Sequence, residues 1–139
     1  MSQDYFKILF VCIVLSSQVG AEKTKYTNLD LQQLQYLMDG GIKLVDIRSS
    51  RLWKKTGIIK NSILLTMFNK KGKVVNNFFK RFSKKVKPNQ PVAIISYKGD
   101  MSQIAAEVLS SEMGYFRIYN IPLGIKGWLS DGRKLKRYR

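Results

Sequence analysis

Between Ile42 and Ile121 short apolar runs alternate with segments of helical spacing, and that alternation restricts the chain to few architectures. The runs Ile42–Ile47, Ile63–Thr66, Val92–Ser96 and Arg117–Ile121 read as strands. Val92–Ser96, opened by Pro91, is the clearest buried strand among them. Leu31, Leu34, Leu37 and Met38 recur at helical spacing ahead of Gly40-Gly41, with Thr27-Asn28 placed to cap that helix. Asn76–Phe82 also reads as helix, and Gly57-Ile58-Ile59 as a turn. Ser102–Met113 carries Ile104, Ala105, Val108 and Leu109 on one face and stops at Gly114; a last short helix covers Ile125–Leu129. Strands alternating with helices predict one α/β domain with a largely parallel sheet.

Side-chain inventory removes several chemistries from such a domain. The chain has 139 residues, no His and a single Cys, so no His-dependent triad and no Cys/His zinc site can be built. No metal and no cofactor is expected. The Cys is Cys12, and it lies in the apolar run Ile8–Leu15 behind Lys7. As a helix those eight residues span about 12 Å, far short of the ~30 Å hydrocarbon core of a bilayer. Small residues at Val19 and Ala21 complete the pattern of a secretory signal peptide, residues 1–21, cleaved near Ala21. The alternatives are an uncleaved anchor or a core helix of a cytosolic protein. Cleavage leaves a domain over residues 22–139 with no thiol at all, in a periplasmic or secreted location.

Asp46-Ile47-Arg48, Gly57-Ile58-Ile59, the loop Ser96–Ser102 and Leu123-Gly124-Ile125-Lys126-Gly127-Trp128 with Gly132 follow one another in a familiar order and spacing. Together they make the chain resemble the rhodanese-like family from about Thr27 to Leu135. The resemblance implies a single rhodanese-like domain whose mostly parallel, five-stranded central sheet is flanked by helices. It also implies that the loop with the family form Cys-x-x-Gly-x-Arg-Ser is the active loop, its Cys carrying a persulfide. Gly99 and Ser102 match that form. Ser96, however, stands at the Cys position and Met101 at the Arg position, while Ile58 replaces a His and Leu123 a Gly.

Sulfur carriage needs a thiolate, and a serine hydroxyl neither ionises near neutral pH nor forms a persulfide. The expected catalytic set is therefore empty. An activated Ser96 would need an adjacent base, for which only Lys98 or a distant carboxylate is available. What can survive is an anion-binding loop made of Ser96, Tyr97, Lys98, Gly99, Asp100, Met101 and Ser102, where a strand leads into a helix N-terminus. Asp100 is expected to cap that helix, with Gln103 three residues on. Asp46 and Arg48 are supporting residues that pair with neighbours to fix a strand-to-loop corner, and Trp128 is a core plug.

The formal net charge is +16. Lys70, Lys71, Lys73, Lys80, Arg81, Lys84, Lys85 and Lys87 form a basic stretch without an acid, interleaved with Phe78, Phe79 and Phe82. Arg133, Lys134, Lys136, Arg137 and Arg139 make a basic C-terminal tail. Such fields attract polyanions. Export disfavours nucleic acid and points to an acidic envelope protein or an anionic membrane surface, with a small anion in the loop. The expected function is a non-catalytic binding or scaffold module of the cell envelope. Two alternatives stand beside it: altered anion or ester chemistry at the Ser96–Ser102 loop, and electrostatic docking to an anionic membrane.

Overall fold

The computed structural model describes residues 25–139. Residues 1–21, expected to be a signal peptide, and with them Cys12, lie outside the described residues. Five strands form one sheet: β1 (Thr27–Asn28), β2 (Lys43–Asp46), β3 (Ile63–Leu64), β4 (Val92–Ile95) and β5 (Ile118–Asn120). Their order is β1-β5-β4-β2-β3, and every described pairing is parallel, in keeping with the mostly parallel five-stranded sheet expected. The described helices are α1 (Leu31–Asp39), α2 (Ser50–Thr56), α3 (Phe78–Lys85), α4 (Asp100–Ser111) and α5 (Gly124–Ser130).

Both faces of the sheet are covered, which is why β4 is apolar throughout rather than alternating. The period-two geometry of a strand sends Val92 and Ile94 to one side and Ala93 and Ile95 to the other. On the first side they meet Phe78 and Phe82 of α3 and Ala105, Ala106 and Leu109 of α4. On the second they meet Leu31 and Leu34 of α1 with Ile125 and Trp128 of α5. Trp128 is buried and donates its indole N–H to the Lys134 carbonyl, so it fills the core and also ties down the tail.

Two local expectations are corrected and one unread element is added. Thr27-Asn28 do not cap α1; they form the edge strand β1, and the cap is Asp30. Its carboxylate accepts from Gln33 N–H at 2.7 Å while the Gln33 side chain accepts from Asp30 N–H at 2.9 Å, a reciprocal box that uses two otherwise unpaired amides. Asp100 is not the cap of α4 either. Gly99 holds that position at φ 89°, and the Asp100 carboxylate accepts from the next amide, Met101, at 2.9 Å. The tight turn out of β4 needs a left-handed residue there, and glycine takes it without steric cost. Finally, α2 was not anticipated. Ser49 caps it by accepting from Leu52 N–H, but seven residues with one buried side chain leave little periodicity to read.

Candidate functional site

The order of the strands places a switch point between β2 and β4: the chain leaves β2 toward β3 and leaves β4 toward β5, on opposite sides. Open α/β sheets bind ligands beyond the strand ends at such a point. Here the ends are Asp46-Ile47-Arg48 and Ser96-Tyr97-Lys98.

Asp46 and Arg48 are buried and bonded to each other. Arg48 Nη2 lies 2.7 Å from Asp46 Oδ2, and both side chains are 1% exposed. Arg48 Nε and its backbone N–H also donate to the carboxylate, while Nη1 donates to Thr56 Oγ1 (2.8 Å) and Nη2 donates in addition to the Gly57 carbonyl (2.9 Å). The pair thus fastens the end of β2 to the end of α2. Its donors are consumed within the protein, although Arg48 lines the cleft described below.

The loop after β4 is organised around the hydroxyl of Ser96, itself buried. Ser96 Oγ accepts from Gly99 N–H at 3.2 Å and Ser102 N–H at 3.1 Å, and donates to Ser102 Oγ at 3.0 Å. Ser102 in turn donates to the Gly99 carbonyl at 3.1 Å. The proton chain therefore ends on a peptide carbonyl, and among the described residues no titratable side chain bonds to Ser96. The amides of Gly99 and Ser102 face a hydroxyl of the chain itself, and that of Met101 faces Asp100. Among the described residues, the amides of Tyr97, Lys98 and Asp100 have no protein acceptor.

Helix α5 clamps the same loop from the other side. The N–H groups of Ile125 and Lys126 donate to the carbonyls of Ser96 (3.0 Å) and Tyr97 (2.8 Å). Gly124 sits so close to these carbonyls that a Cβ there would lie within 2.7 Å of Ser96 O. Its place in the sequence pattern is thereby explained by a close backbone approach.

A cleft of about 720 Å³ opens over the loop. Lys98, Asp100, Met101 and Tyr97 line it from the loop, with Ser96 beneath; Gly99 and Ser102 are buried parts of its support. Lys70 reaches it from the segment 68–74, closed by a Phe68–Val74 bridge and held by Asn69 accepting from the amides of Lys71 and Lys73. Arg51 and Lys55 reach it from α2. Four exposed bases thus surround the cleft, and Asp100 is the single carboxylate among its lining residues.

The basic stretch read as one patch is divided by the fold. Lys80, Arg81, Lys84, Lys85 and Lys87 do not line the cleft. The Lys85 carbonyl accepts from Nζ of Lys43, the first residue of β2, so the end of α3 lies at the opposite, amino edge of the sheet. Arg51 and Lys55 were missed because α2 was missed. Their signal was a Ser49-Ser50 start followed by two bases four residues apart. Among the described residues no group of three metal-ligating side chains comes together.

A family model described as rhodanese-like domain matches residues 30–131. Protein Rv0390 of M. tuberculosis superposes with a TM-score of 0.66 at 23% identity, over 81% of this chain and 99% of that one. The polysulfide-sulfur transferase homodimer of Wolinella succinogenes aligns at 22% identity and TM-score 0.63, over 94% of this chain and 88% of that one. A rhodanese-related protein of Thermoplasma volcanium does so at 20% identity and TM-score 0.62, over 81% and 100%. At these identities the likeness is one of fold.

Proposed function

The chain belongs to the rhodanese-like domain family, and from that premise we propose that it is an exported binding module that carries no sulfur. Ser96 is the observation that supports this most. A persulfide forms when a thiolate attacks a donor sulfur, making an S–S bond and releasing the remainder of the donor. The hydroxyl at this position offers oxygen instead of sulfur, and it is already engaged by two loop amides and by Ser102. Hydrolysis through Ser96 lacks a proton acceptor, because its hydrogen-bond chain runs to a carbonyl and Lys98 is not bonded to it.

What the residues around the loop can do is hold an anion. Lys98, Lys70, Arg51 and Lys55 supply positive potential around a concave site, and the unoccupied amides of Tyr97, Lys98 and Asp100 add donors at a helix N-terminus. In this reading the segment ending near Ala21 delivers the domain to the cell envelope, where it meets an acidic protein or an anionic surface. It uses no cofactor, no metal and no nucleic acid.

Thiosulfate-to-cyanide transfer measured on the wild type beside Ser96→Cys tests the reading. The wild type is expected at background. Ser96→Cys is expected to rise above it, since the amides of Gly99 and Ser102 would then face a thiolate. Transfer by the wild type that disappears in Ser96→Ala overturns the reading.

A further inference from the structure

We infer that the cleft over the loop docks an extended acidic segment of a partner protein, taken as one apolar side chain flanked by carboxylates. This inference rests on the binding-module reading and gives that module a ligand chemistry. Two features of the cleft carry it, and they occur together. Its rim is cationic: Arg51, Lys55, Lys70 and Lys98 are exposed, and Asp100 alone opposes them. Its floor is apolar, made by Ile47, Leu52, Phe68 and Met101, of which Phe68 and Met101 pack against the buried core. Arg48 adds no free charge to this floor because its guanidinium is paired with the Asp46 carboxylate and held by Thr56 and Gly57.

Met101 is decisive here. At the position where the family form has Arg, a pliable apolar side chain extends the floor, so the centre of the cleft does not favour a compact inorganic anion. The volume agrees: about 720 Å³ falls within the roughly 300–1,000 Å³ of pockets that enclose drug-sized organic ligands. Other polyanions fit less well. Lipid headgroups present a plane of charge, which can meet the rim but leaves the apolar floor of the concavity unfilled. A nucleic-acid strand would engage the rim and stack successive bases on aromatic faces; Phe68 and Tyr97 are the two aromatic residues of this lining, and Ile47, Leu52 and Met101 give the rest of the apolar contact an aliphatic character that suits a peptide side chain better. A peptide supplies both carboxylates and an aliphatic side chain at neighbouring positions.

The test measures binding of a fluorescein-labelled peptide of about ten residues, Asp and Glu around a central Leu, to the purified protein. The same length without Leu is the control. The Leu peptide is expected to bind about tenfold more tightly than the all-acidic control, and Met101→Arg is expected to erase that difference. Arg51→Glu with Lys55→Glu is expected to weaken binding about tenfold or more. Lys84→Glu with Lys85→Glu, the same change in net charge at the other edge of the sheet, is expected to weaken it about twofold or less. Equal affinity for the two peptides, or equal losses in the two charge-reversed pairs, overturns the inference. So does displacement of the peptide by a single-stranded oligonucleotide or by phosphatidylglycerol vesicles at lower concentration than unlabelled peptide requires. If a charge-reversed pair fails to fold, the two-peptide comparison on wild type decides alone. Failure of peptide binding with wild-type sulfur transfer still at background removes this ligand and leaves the binding-module reading intact, whereas wild-type transfer removes that reading whatever the peptide does.

Discussion

Asp46 and Arg48 illustrate how a residue that looks catalytic at a strand end can be structural. Both side chains are removed from water, and the cost of that is offset only while each keeps its partner. Asp46→Asn leaves a buried guanidinium without its counter-charge, so urea unfolding is expected to show a loss of about 3–5 kcal/mol. Tyr115 is a second case. It is buried, stacks edge-on against Phe82 at 5.2 Å and donates its hydroxyl to the Val86 carbonyl at 2.7 Å. Burial raises its phenol above the ordinary value of 10.0. The neutral phenol therefore stabilises the fold fully below pH 10.0, and that contribution falls as the pH rises through the folded-state value, because the unfolded chain ionises first. Tyr115→Phe is expected to lose about 1 kcal/mol at neutral pH and to show a shallower alkaline decline in a pH series of unfolding curves. Asp46 and Arg48 were read from their place after a strand as residues that fix a corner through neighbouring groups, and their bond to each other came from the structure. Tyr115 was not legible, since its partner Val86 is distant in sequence.

Among the elements, the turn from β4 into α4 is the one on which the site depends. Gly99 takes a left-handed conformation, and a Cβ at that position would collide with the backbone of Pro122. Gly99→Ala is expected to destabilise the protein by about 2 kcal/mol or more, seen as a lowered midpoint of thermal unfolding. It should also weaken cleft binding, because the amides of Lys98 and Asp100 move with the turn. β2 and β4 were readable as short apolar runs because the sheet is covered on both faces, and α4 and α5 because one buried face gives them a helical period. α2 was not, since it buries Trp53 and little else. The basic stretch was readable as charge but not as place: α3 packs Phe78 and Phe82 inward, and the chain then runs to the far edge of the sheet. Sequence adjacency therefore joined bases that the fold separates, and it hid Arg51 and Lys55, which the fold unites with Lys70 and Lys98.

For the whole molecule, the wholly parallel sheet among the described residues directs two strand ends and one helix start to a single switch point, and the cleft lies there. The tail is part of the body, since Lys136 pairs with Ile58 through bonds of 2.7 and 2.8 Å and Tyr138 meets Trp53. Its first base, Arg133, lies over Trp128 of α5 and donates to Asp131, so the tail's bases are carried on the body of the domain rather than on a free arm. The family pattern was legible from four short motifs, and so were its departures at Ser96 and Met101. The consequence of those departures needed the structure: the hydroxyl takes two amides of the loop, those of Gly99 and Ser102, and the methionine floors the cleft. With an oxygen at position 96 the loop has nothing to hold sulfur, and the intact mass of the purified chain from Glu22 onward after incubation with thiosulfate tests this. The wild type is expected to keep its mass while Ser96→Cys gains one sulfur atom, released by cyanide. A gain of sulfur by the wild type, released by cyanide, would contradict the account.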